Sequence, residues 1–111
     1  EIPGVGAGPF GPRNIHEPHS HPALEDRNDR VYCCYFHAGL RIYDISDAYV
    51  PREIAHFIPP DPEKWLFTDR AGNNIFPGPR IATTEDVVVD NRGNIFIDTF
   101  HDGLYVLRCT V

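Results

Sequence analysis

Val31-Tyr32-Cys33-Cys34-Tyr35-Phe36-His37-Ala38-Gly39-Leu40-Arg41-Ile42 returns 64 positions later as Ile95-Phe96-Ile97-Asp98-Thr99-Phe100-His101-Asp102-Gly103-Leu104-Tyr105-Val106. Phe, His, Gly and Leu recur at the same places, and three further pairs are similar in character. A second echo lies upstream of each copy, where Gly11-Pro12-Arg13 matches Gly78-Pro79-Arg80. Self-similarity at a fixed period marks a repeated supersecondary unit. Such a unit buries its faces only by stacking on a neighbour.

Working outward, each copy holds two apolar runs separated by a His-x-Gly turn. The first copy adds Glu53-Ile54-Ala55-His56-Phe57-Ile58, stopped by Pro59-Pro60-Asp61-Pro62, which makes a three-strand meander. In the second copy Thr84-Glu85-Asp86-Val87-Val88-Val89 precedes a strong turn at Asp90-Asn91-Arg92-Gly93-Asn94. Eleven prolines and nine glycines fall between the apolar runs, as turn-rich β structure requires. Residues 31–36, 87–89 and 104–107 are apolar without alternation, so both faces of each sheet should be covered. The expected fold is therefore all-β: antiparallel four-stranded blades of a β-propeller, about two of them. A β-sandwich would explain the burial but not the repeat. The expected organisation is a lead-in at 1–12, unit one at 13–60, a connecting loop at 61–80 and unit two at 81–111. Trp65, Leu66 and Phe67 lie inside that loop, so part of it is expected to pack down on the sheet.

Composition narrows the function. The sequence lacks methionine and opens at Glu1, so a piece of a longer precursor is expected. No apolar run approaches the roughly 20 residues of a membrane span, which argues against a membrane partner. A net charge of −6, a single lysine (Lys64) and nine scattered arginines argue against nucleic acid. Cys33 and Cys34 are adjacent on an expected strand and face opposite ways, so a bridge between them is disfavoured. All three cysteines read as small hydrophobes. With only Ser20 and Ser46 in the chain, no nucleophile elbow or phosphate loop is present.

Ala38-Gly39-Leu40-Arg41-Ile42-Tyr43-Asp44-Ile45-Ser46-Asp47, followed by Pro51-Arg52-Glu53-Ile54-Ala55, resembles the core of the LVIVD-repeat β-propellers. There a Gly-Leu pair opens a strand, Asp-Ile-Ser ends it and a proline starts the next. Residues 84–107 resemble the following repeat, without its last strand. The resemblance implies architecture rather than activity. It also implies that the remaining blades of the same propeller, or a companion chain, complete the structure.

Propeller topology places His16 and Glu85 at the starts of inner strands and His37 and His101 in the turns after returning strands. All four are then expected to rim one face near a central channel. A histidine cluster beside a carboxylate is the raw material of a zinc, copper or iron site or of acid–base chemistry. The metal candidates are His16, His37, His101 and Glu85. The catalytic candidates are Glu85, His37 and His101, acting on a small-molecule substrate. The competing reading is a non-catalytic scaffold for protein interaction, in which the recurring histidines hold turn backbones. His19 and His21 read as a solvated loop, and His56 as structural. Asp98, unusual in a returning strand, fits either a satisfied core acid or a rim residue. Gly39 and Gly103 are each expected at positive φ.

Overall fold

The computed structural model describes residues 10–75 and 79–111. Most of the lead-in, and Gly78 of the upstream echo, lie outside the described residues. The chain forms six strands, β1 (Arg30–Cys34), β2 (Leu40–Asp44), β3 (Arg52–Phe57), β4 (Thr84–Val89), β5 (Asn94–Thr99) and β6 (Gly103–Arg108). They make two antiparallel three-stranded sheets, β1-β2-β3 and β4-β5-β6. The repeat is structural: β1 and β2 correspond to β5 and β6 at the 64-residue shift.

The sheets have three strands each, where four were expected. In unit one the position beside β1 is held by residues 13–16. Arg13 N–H donates to the Cys34 carbonyl (2.7 Å), Cys34 N–H to Asn14 (2.9 Å) and His16 N–H to Tyr32 (3.1 Å). The ladder stops there for a chemical reason. The next donor in this register is Pro18, which has no N–H. In unit two the corresponding position, beside β5, is held by the full-length β4, and β6 is the last strand of its sheet.

One face of each sheet supplies the core. Tyr32, Cys34, Leu40 and Ile42 of unit one pack on Val87, Val89, Ile95 and Ile97 of unit two. Burying a Leu, Ile or Val side chain contributes about 1.5–3 kcal/mol, so this contact is the main source of cohesion. Phe57 reaches across to Tyr105, with ring centroids 5.6 Å apart. At the 64-residue shift, Tyr32, Leu40 and Ile42 correspond to Phe96, Leu104 and Val106, which lie on the opposite side of unit two from its core residues. The two units therefore stack front to back.

Backbone contacts fasten both ends of the stack. The Phe36 carbonyl accepts Thr84 N–H and Thr84 Oγ1–H, each at 2.8 Å, with Thr84 fully buried. At the other end Glu25 N–H donates to Val89 (3.0 Å) and Asn91 N–H to Ala23 (2.8 Å). Both glycines expected at positive φ adopt it, Gly39 at 79° and Gly103 at 81°.

Candidate functional site

His16 sits in the segment beside β1, and its ring points into unit two. Nδ1 accepts the buried Val89 N–H at 3.0 Å, and Nε2 faces the Glu25 carbonyl at 2.8 Å. An acceptor at Nδ1 requires the proton on Nε2, so the second contact is a donated hydrogen bond. The ring stands edge-on to Tyr32. Burial, and then the neighbouring Glu25, push the Tyr32 phenol up from its ordinary value.

His37, in the turn between β1 and β2, is buried, with its ring 5.7 Å from that of Phe10. His101, at the same position of the turn between β5 and β6, is only half-buried. Its Nδ1 accepts Leu66 N–H at 3.2 Å, and Trp65 and Phe67 lie against the ring at 5.1 and 6.0 Å. This burial lowers its pKa, which keeps the imidazole neutral. Glu85 meets Arg13 at 3.5 Å on the surface, a contact of small energetic weight.

Thr84 pairs with both Phe36 and Thr99, so Glu85, His37 and His101 belong to the same end of the two sheets. His16 does not join them, because its ring is directed to Val89 at the other end of β4. Among the described residues, no three His, Cys, Asp or Glu side chains are grouped so as to hold a metal ion.

The remaining candidates are placed as follows. His19 and His21 are exposed in a tight turn, His21 accepting Ala23 N–H at 3.1 Å. His56 is exposed on β3. Asp98 is also exposed and accepts Asp86 N–H at 2.7 Å, which makes it a satisfied rim residue rather than a core acid. Cys33 and Cys34 are buried on opposite faces, and burial pushes the Cys34 thiol up to about 12, an inert group. Cys109 is half-buried against the core.

The sequence reading missed a cleft of about 500 Å³ where the long loop meets unit two, walled by Asp61, Lys64, Trp65, His101 and Asp102. The signal for it was the Trp65-Leu66-Phe67 run in an otherwise polar loop. Part of the loop packs down, with Trp65 and Phe67 against the His101 ring, while Leu66 stays exposed. Two carboxylates of the cleft are engaged within the chain: Asp61 accepts Ala82 N–H (3.1 Å), which fastens the loop, and Asp102 accepts the Tyr105 hydroxyl in the β5–β6 turn.

No protein-family model matches the chain, and comparisons with curated proteins and with solved structures give no match. Among the described residues no helix is long and apolar enough to cross a membrane.

Proposed function

We propose that this chain is part of a propeller-type repeat scaffold that acts by binding protein through its sheet faces, with its histidines serving the fold. The observation that carries this reading is His16, which the sequence reading placed with Glu85 at the start of an inner strand. Both of its ring nitrogens are committed to backbone groups, one in each unit, so the ring joins the units and has no lone pair left for a metal. His101 likewise holds Leu66. The front-to-back stacking of the units and the resemblance to LVIVD repeats support four-stranded propeller blades, completed by further units or a companion chain.

A second reading keeps the metal-dependent enzyme acting on a small molecule. It is favoured by one observation, the shared position of His37, His101 and Glu85 at one end of the sheets. Elemental analysis of the purified chain, before and after chelation, separates the two. The scaffold reading expects no stoichiometric metal and an unchanged melting temperature. Stoichiometric zinc, copper or iron that disappears in a His37→Ala/His101→Ala variant would establish the enzyme reading instead.

A further inference from the structure

Unit two carries an apolar face with nothing upon it among the described residues. Val88, Phe96 and Val106 lie side by side across β4, β5 and β6, with Leu104 beside them. Leu104 is 63% exposed and Val106 58%. These are not arbitrary surface residues. At the repeat shift, Phe96, Leu104 and Val106 stand where Tyr32, Leu40 and Ile42 stand in unit one, and those three are buried under unit two. The same kind of face is thus covered in one unit and bare in the next.

The complementary face is also present, on the other side of unit one. The face of unit two that does the covering consists of Val87, Val89, Ile95, Ile97, Tyr105 and Leu107. By strand register and repeat shift its equivalents in unit one are Ile15, Glu17, Val31, Cys33, Arg41 and Tyr43, of which Cys33 is already buried. Ile15, paired with Cys33 as Val87 is with Ile97, is 49% exposed. A cleft of about 390 Å³ adjoins this face, walled by Phe10, Tyr43 and Ile58, and would seat an aliphatic side chain. The two faces depart from strict equivalence at charged positions: Asp98 replaces Cys34 on one, while Arg41 replaces Tyr105 and Glu17 replaces Val89 on the other.

We propose that a second copy of this chain docks on the bare face of unit two, seating its Ile15–Val31–Tyr43 face on Phe96, Leu104 and Val106. The inference rests on the repeat-stack reading above and continues the interface that already exists inside the chain. Because the two surfaces differ, the contact is head-to-tail. It therefore extends to further copies until rotation closes a ring.

Sedimentation of the whole chain across a wide concentration range tests this. The mass should rise with concentration to the dimer and beyond. Val106→Asp and Ile15→Asp each place a charge on one of the two faces at exposed positions. Each should weaken self-association about tenfold or more, since an unpaired charge then has to be buried. Circular dichroism checks that both variants keep their strands. Mixing the two variants supplies the decisive arm. Each retains the face that the other lacks, so a mixed dimer should form at concentrations where either alone is monomeric. A chain that stays monomeric throughout overturns the proposal. So does loss of association in Val106→Asp but not in Ile15→Asp, which would mean like faces meeting, or association that neither variant weakens. The metal content that decides the preceding reading is indifferent to these outcomes, so the two can fail separately.

Discussion

Gly39 and Gly103 occupy the same place in the two units and share a left-handed backbone, yet their surroundings differ. A Cβ on Gly39 would stand 2.2 Å from the Phe57 carbonyl oxygen and 2.9 Å from Ile58 Cα, whereas a Cβ on Gly103 would meet nothing within 4 Å. The difference is the third strand. Unit one has β3 folded back against the glycine, and unit two ends its sheet at β6. The histidines before these glycines follow the same division, His37 buried and His101 half-exposed. One repeated motif thus yields a packed joint in one unit and an open turn in the other. The strands that surround a motif set its energetic weight.

The largest effect that would break this comparison lies at those glycines. Gly103→Ala should cost about 1 kcal/mol, the strain of a side chain at positive φ. Gly39→Ala adds a collision with backbone that cannot swing aside, and should cost about 3 kcal/mol or more. Urea unfolding of both variants measures the gap. Equal losses would show that β3 does not press on the turn.

His16 is the next test, because it joins the units instead of belonging to one. His16→Ala leaves the buried Val89 amide without its acceptor and the Glu25 carbonyl without its donor. Leaving a buried polar group unsatisfied costs about 1–3 kcal/mol, so a loss of about 2 kcal/mol is expected. His16→Gln, which keeps an acceptor and a donor on one side chain, should recover part of it. Hydrogen exchange at Val89 should quicken more than at Tyr32 if the ring fastens unit two.

The strands, the repeat and the two left-handed glycines were legible because each is written locally, in apolar runs and turn chemistry. The opposed burial of Cys33 and Cys34 follows from strand alternation alone. The shortening of the segment beside β1 was legible in principle, since Pro18 stands where a donor is needed, but only once the register with β1 is known. The role of His16 was not legible. Its partner Val89 is 73 residues away, and no periodicity encodes a side chain crossing from one repeat to another. The histidine pattern pointed to a rim of ligands because recurrence looks alike for a turn and for a site. The cleft at Trp65 was hidden for a related reason: its walls come from a loop that no repeat specifies.

The smallest expected effect separates the two turns by pH. Trp65 and Phe67 close over His101 and remove part of its ring from water, which lowers its pKa below the ordinary 6.5. The unfolded chain, with an ordinary imidazole, takes up its proton first as the pH falls. Stability therefore declines from about pH 6.5 down to the depressed native pKa, and the contribution of the neutral ring is fully present only above that window. Trp65 is the single tryptophan of the chain, so its fluorescence reports this turn alone. Acid titration should change the emission with a midpoint below 6.5, as the protonated ring loses its acceptor for Leu66 N–H and loosens the loop. His101→Asn should flatten that titration, and His37→Asn should leave it intact. A midpoint at or above 6.5 would mean that the loop does not shield His101, and the contrast with the buried turn of unit one would then rest on β3 alone.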